Sequence, residues 1–321
     1  MECGASASLS RRIHATQTLP TATSIRDPCT GALLLRPNSA GSLYALPALI
    51  LPDHIRELRT DLARLSAMLT AITRAVSPAL AHCELTFVER QPIDLARAQS
   101  QHTAYEHLLA KLGIHVHSLA AEPTLPDSMF VEDPAIVLDE LAVILPLGTK
   151  SRQPEAESLA KALAPFRKLA HITPPAAIEG GDVLRIDRTL YVGQTTRTNA
   201  EGVLQLAAIL APHDYNVVPV PVTGCLHLKS AITYLGRNTL LANRPWFDNA
   251  PFANFHWIDV DPAEPHAANA LAIADTVIFP ASFPKTRARV ESAGFHVTPL
   301  DISELQKAES GLTCSSLIFT T

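Results

Sequence analysis

Residues 141–175 read LAVILPLGTKSRQPEAESLAKALAPFRKLAHITPP, and the order of their parts decides the fold. LAVILPLGTKSRQ (141–153) is a β-rich run that breaks into a polar loop. PEAESLAKALAPF (154–166) is a helix, with Pro154 suited to its first turn. KLAHITPP (168–175) is a second short β-run. The same unit recurs on both sides. ELTFVERQPID (84–94) leads to LARAQSQHTAYEHLLAKLG (95–113) and IHVHSLAA (114–121). TLYVGQTTR (189–197) leads to TNAEGVLQLAAILA (198–211) and NVVPVPV (216–222), and DTVIFPASFPK (275–285) to TRARVESAG (286–294) and FHVTPL (295–300). A weaker copy starts at NTLLANRPW (238–246). Thr198 and Glu201 have capping-box spacing, and Gly113 and Gly294 suit helix C-termini. A period of roughly 50 residues is that of a ring of supersecondary units. No glycine-rich phosphate fingerprint follows any of the strands, so these are not Rossmann units.

The unit starts near Met68, where MLTAITRAVSP (68–78) reads as a strand, and the domain boundary is placed there. Residues 1–67 read as an extension with little regular structure. Ile55, Leu58, Leu62 and Leu65 fall at helical spacing, so a short helix is expected near 53–67. The first thirty residues are rich in Ser, Thr and Ala and poor in acids. That is a faint transit-peptide composition without its arginine periodicity.

With 321 residues, 47% hydrophobic and 18% charged, the chain is an ordinary globule. A formal charge of −5 speaks against a broad nucleic-acid footprint. No run of eighteen apolar residues is present, so no membrane span is expected. Five cysteines at irregular spacing, with no CxxC pair, fit neither a secreted disulfide framework nor a structural zinc site. A cytoplasmic protein is the default.

Four polar stretches sit oddly in apolar surroundings. PDSMFVEDPAIVL (126–138) holds Asp127, Glu132 and Asp133, carboxylates that need a cation if buried. AAIEGGDVL (176–184) puts Glu179 before a Gly-Gly-Asp sequence that also reads as a simple turn. GCLHLKSAITYLG (224–236) holds His227 between leucines, where a core histidine is the plain reading. Cys225 beside it lacks the further ligands a zinc site needs. GLTCSSL (311–317) holds Cys314, either an inert buried thiol or a nucleophile.

Taken in order, DSMFVEDPA, SRQPE, EGGDVL, YVGQTTRTNAEG, LHLKS, AAN, FPKTR and LTCSS resemble the dimethylarginine dimethylaminohydrolases of the amidinotransferase-like superfamily. The resemblance runs from about Met68 to the end. It implies an α/β fold, a five-bladed propeller (pentein) of ββαβ-type units in one domain, 68–321. It implies hydrolysis of Nω-methylated arginine to citrulline and a methylamine through a covalent thiouronium on Cys314. His227 is then the acid and base, and Glu179 its orienting partner. Glu132 and Asp133 are implied to hold the guanidinium, Arg152 and Arg197 the α-carboxylate, and Asp127 the α-amino end. Ser230 lines the site, while Ala308 and Glu309 contact the guanidino side. No cofactor and no metal are implied. The expected partner is a small guanidine rather than nucleic acid or membrane, and a homodimer is allowed. Family members usually carry Asp where Glu309 stands and Arg where Gln153 stands. They carry a substrate lid in the first unit, for which no residue is assigned here. An arginine deiminase or amidinotransferase would share Cys, His and acid. A non-catalytic propeller that binds a partner would need none of them.

Overall fold

A computed structural model describes residues 68–321 and, before them, only two short strands, Ser24–Arg26 and Leu33–Leu35, paired antiparallel. By internal contacts the chain divides into two compact units, 1–61 and 62–321. The helix expected near 53–67 lies outside the described residues.

The larger unit is a ring of five three-stranded sheets. Each blade has an inner strand antiparallel to a middle strand, a connection, and an outer strand parallel to the middle one. In the second blade these are Ala135–Val137, Leu141–Ile144 and Lys168–His171, with helix Glu155–Leu163 in the crossover. The third is Val183–Ile186, Thr189–Gln194 and Asn216–Pro221, crossed by helix Ala200–Leu210. The fifth is Leu271–Ile273, Thr276–Pro280 and His296–Leu300, crossed by helix Pro284–Ser292.

The fourth blade, the weaker copy in the sequence, pairs Ile232–Gly236, Thr239–Ala242 and His256–Asp259. Its crossover has two 3-10 turns, Arg244–Trp246 and Ala250–Phe252, instead of an α-helix. Pro245 and Pro251 deny that segment continuous helical hydrogen bonding. Phe252 packs in that crossover against Tyr191, Phe247, Phe255 and Trp257.

The first blade closes the ring. Its middle and outer strands, Leu69–Arg74 and His115–Leu119, flank helix Leu95–Lys111. Its inner strand comes from the far end of the chain, Leu317–Thr320, with Leu317 opposite Ile72.

Burial explains the layering. The middle strand Leu141–Ile144 is buried at every position, as its unbroken apolar run requires, whereas outer strand Lys168–His171 is exposed at both ends. Pro219 and Pro221 sit on an outer strand, where a missing N–H is tolerated. Five apolar clusters fill the five gaps between adjacent blades, for example Ile72 and Phe319 against Ala142 and Leu163 between the first and second. Inner strands neighbour one another around the axis. Four of them, led by Ala135–Val137 and Leu271–Ile273, line an axial cavity at one end of the ring.

Three local expectations change. ELTFVERQPID (84–94) is an irregular loop, because its N–H groups meet side chains rather than a strand ladder. The cap of helix Ala200–Leu210 is Asn199, whose side chain accepts from Gly202 N; the Thr198 hydroxyl donates instead to Asp182. Gly180–Asp182 is a buried 3-10 turn, not a hairpin. Gly113 and Gly294 do adopt the left-handed conformation that ends a helix, at φ +85° and +84°.

Candidate active site

The candidate residues come from equivalent places in the blades. Asp133 lies two residues before its inner strand, Glu179 four before the next, His227 five before the next, and Cys314 three before the strand that closes the ring. Arg152, Arg197 and the loop at Glu84–Phe87 follow middle strands and form a second tier. The ring gathers both tiers around one narrow cavity. Asp127, Asp133, Arg152, Arg197, His227, Ala308, Glu309 and Cys314 all line it.

Glu179 stands behind His227 rather than on the cavity wall, and two other expected residues face elsewhere. Glu132 accepts from Lys229 Nζ and from Thr313 Oγ1 at 2.8 Å, and lines the axial cavity instead. Of the adjacent carboxylates, only Asp133 reaches the narrow cavity, since neighbouring residues point apart. Ser230 lines a larger, more apolar neighbouring cavity with Cys225, Phe87 and Phe283; the two cavities share Leu226, Glu309 and Ser310.

Cys314 opens onto the narrow cavity, and its Sγ accepts from Gly311 N at 3.4 Å. Burial, and then the charges of Glu132 and Asp133, push its thiol up to about 12. In this state the Cys314 thiol is held protonated. His227 Nε2 lies 2.7 Å from Glu179 Oε2. Burial alone would lower the imidazole's pKa, but Asp133, Glu179 and Asp182 outweigh it and push it up to about 9. The ring is therefore an imidazolium at neutral pH. Glu179 is wholly buried and also accepts from Gly148 N at 3.1 Å, with Arg197 Nη1 at 3.5 Å.

Asp133 is held below the usual carboxylate range: burial opposes this, and His227 and Arg152 overcome it. Arg152 donates to Asp133 at 2.9 Å and grips Glu155 with Nε and Nη2 at 3.1 and 3.0 Å. Arg197 is less committed, donating to the hydroxyls of Thr149 and Thr86.

Supporting residues carried no expectation from sequence. Asp182 accepts from Leu228 N at 2.9 Å and from Thr195 and Thr198, which fixes the turn that carries His227. Asn269 accepts from Leu312 N and Thr313 N and donates to Lys229 O and Thr313 Oγ1, which fixes the Cys314 turn. Both lie inside quoted motifs, EGGDVL and AAN, and a polar residue just before an inner strand was the available signal. Gly181 packs so closely on His227 that a Cβ there would fall 2.5 Å from Nδ1.

A dimethylarginine dimethylaminohydrolase from Pseudomonas aeruginosa is 35% identical over 228 residues, which is 70% of this chain and 90% of that protein. The chain belongs to the dimethylarginine dimethylaminohydrolase family. A second dimethylarginine dimethylaminohydrolase, from Streptomyces coelicolor, is 36% identical over 248 residues, covering 77% of this chain and 95% of its own. A solved structure of the Pseudomonas aeruginosa dimethylarginine dimethylaminohydrolase, a cysteine-to-serine mutant complexed with citrulline, matches with TM-score 0.75 and 33% identity. The match covers 78% of this chain and all of that one. An adduct of a dimethylarginine dimethylaminohydrolase with S-methyl-L-thiocitrulline matches at TM-score 0.73 and 33% identity, over 78% of this chain and 99% of the other. No family model matches the chain.

The departures from residues usual in dimethylarginine dimethylaminohydrolases have local accounts. Gln153 donates to Leu147 O at 3.4 Å, a neutral contact where an arginine would bring charge. Glu309 accepts from Thr86 N and Phe87 N at 2.8 and 2.9 Å. Asp133, Glu179 and His227 bring ligand-type atoms within 4.8 Å of one another, a spacing that a divalent ion could bridge. Arg152 on Asp133, and Arg197 near Glu179, already supply positive charge to these carboxylates.

Proposed function

We propose that this protein hydrolyses Nω-methylated arginine to citrulline and a methylamine. The observation that carries the reading is the convergence of Cys314, His227 and Asp133 on one narrow cavity, whose lining also includes Arg197, Arg152 and Asp127. A guanidinium is resonance-stabilised and charged, so water alone scarcely attacks it. A thiolate will, provided the leaving nitrogen is protonated as it departs.

In this reading the substrate guanidinium lies against Asp133. Its positive charge offsets the burial and the two carboxylates that hold the Cys314 thiol protonated, so the thiol loses its proton to solvent as substrate binds. Sγ attacks the central carbon. The imidazolium of His227 gives its proton to the departing methylamine, and the carbon–nitrogen bond breaks to leave a thiouronium on Cys314. Neutral His227 then takes a proton from water, whose oxygen attacks the same carbon. The carbon–sulfur bond breaks with its electrons returning to Sγ, which takes the remaining hydroxyl proton as the thiol, and citrulline leaves. Glu179 holds the ring and stabilises its charged form, the role of the acid in a triad. Arg197, with two weakly committed hydroxyl contacts, is the better placed arginine for the α-carboxylate, and Asp127 for the α-amino group. Arg152 helps His227 hold Asp133 ionised, while burial pushes Glu155 up to about 7 even with Arg152 beside it.

Purified protein given arginine, monomethylarginine and dimethylarginine tests the reading, with citrulline and the released amine followed together. Citrulline with methylamine from the methylated substrates supports it; ammonia from arginine alone would make the protein a deiminase. Cys314→Ser should abolish turnover with the melting temperature retained, and acid quench of wild type should trap a thiouronium on Cys314. A homodimer and a cytoplasmic site of action belong to the same reading; light scattering and cell fractionation test them.

A further inference from the structure

Residues Glu84–Phe87 carry hydrogen-bonding groups to several residues that line the narrow cavity. Among the described residues, no backbone-to-backbone hydrogen bond holds residues 84–93. Side chains hold the segment instead. Asp127 accepts from Glu84 N at 3.1 and 3.3 Å, and Arg197 Nη2 donates to Thr86 Oγ1 at 3.1 Å. Glu309 takes two consecutive amides, Thr86 N on Oε2 at 2.8 Å and Phe87 N on Oε1 at 2.9 Å. Phe87 is 46% exposed and Leu85 only partly buried against the core, so modest apolar burial resists opening.

Glu309 is also an unusual residue for its place. It follows the short helix Ser303–Gln306 with φ +59°, the left-handed conformation in which helix ends favour glycine. A glycine would suit the backbone better, but it would offer nothing to the loop.

We propose that Glu309 is a positioning residue: its carboxylate clasps the Thr86 and Phe87 amides and so holds the loop closed over the substrate cavity. This rests on the hydrolase reading for its kinetic consequence but not for the clasp itself. The clasp joins the turn that leads into Cys314 to a loop that also touches Arg197 and Asp127. Loop closure is thereby tied to both ends of the cavity.

The discriminating variant is Glu309→Gly in the full-length chain, with Glu309→Gln beside it. Glycine relieves the left-handed backbone, so the melting temperature should hold or rise while the clasp is lost. Hydrogen exchange, measured without substrate, should speed up about tenfold or more in a peptide covering residues 84–90 and stay unchanged in helix Leu95–Lys111. With monomethylarginine, kcat/KM should fall about tenfold, mainly through KM. Glu309→Gln keeps one acceptor oxygen and should fall between the two proteins on both measures. Unchanged exchange in both variants overturns the clasp. Faster exchange with unchanged KM overturns the positioning role. A wild type inert toward methylated arginine would defeat the hydrolase reading, and exchange would still decide the clasp.

Discussion

His227 Nε2 and Glu179 Oε2 lie 2.7 Å apart, and Glu179 has no exposure to solvent. A carboxylate without water of its own depends on nearby cations and donors. Here these are the imidazolium, the Gly148 amide and Arg197. The pair is therefore part of what holds the turns before the inner strands of the third and fourth blades in register.

Stability should follow its titration. The imidazole is raised in the folded protein to about 9, against burial, by Asp133, Glu179 and Asp182. Because the folded value exceeds the unfolded one, the contribution is complete below about pH 6.5 and is lost as pH rises through about 9. Denaturant titrations between pH 6.5 and 9.5 should show a loss on the order of 2–3 kcal/mol. His227→Gln should flatten that part of the profile. An equally steep profile in the variant would place the titration elsewhere.

The thiol of Cys314 should be sluggish in the free enzyme. With burial, Glu132 and Asp133 pushing it up to about 12, alkylation by iodoacetamide should rise about tenfold per pH unit from 7 to 9, with no plateau. Asp133→Asn removes one of the negative neighbours and should make the free thiol react faster, even as turnover is lost. A plateau below pH 8 in wild type would mean that the nucleophile is already ionised before substrate arrives.

The two arginines should fail differently. Arg152 is buried between Asp133 and Glu155, so Arg152→Ala strands two buried carboxylates and should cost roughly 3–5 kcal/mol, seen as a lower melting temperature. Arg197 meets mainly hydroxyls. Arg197→Ala should fold and raise KM about tenfold or more with a smaller effect on kcat. A substrate lacking its α-carboxylate should lose no further affinity in that variant. Equal damage to kcat and KM would move Arg197 from clamp to reacting centre.

How much of this could be read in the chain depends on which forces act locally. The repeat was legible because each blade needs a buried middle strand, and runs such as LAVIL and TVIF recur at blade spacing. Motif order singled out Cys314, His227 and Glu179, and the fold brings them near one another. The loop at 84–94 was not, because Leu85, Phe87 and Val88 look like a strand until Glu309, more than two hundred positions away, takes their neighbouring amides. The opposite orientations of Glu132 and Asp133 were hidden for the same reason: Lys229 and Thr313 arrive from other blades. Asp182 and Asn269 stood inside quoted motifs, but their role is to hold backbone amides of distant turns, which only the folded ring brings near.

Removal of residues 1–67 should leave activity and melting temperature close to those of the whole chain, within about 2 °C for a domain of this size. Every cavity residue lies beyond that point, and Met68 keeps its carbonyl contact with Thr321 N at 2.9 Å. A fall of many degrees would show that the first segment is packed on the ring.

Ring closure carries a consequence for the order in which the molecule gains activity. Thr70 and Thr321, 251 positions apart, share a hydrogen bond at 3.2 Å in the sheet that joins the two ends of the ring. Pairings so distant along a chain bear the largest loop-closure entropy and form slowly. Cys314 sits three residues before the strand that makes this pairing. A chain with four blades assembled would thus have His227, Glu179 and Asp133 in place and Cys314 not yet beside them. If Cys314 is the nucleophile, recovery of activity after dilution from denaturant should lag behind recovery of helical signal, because that thiol comes into place with one of the most distant pairings in the chain.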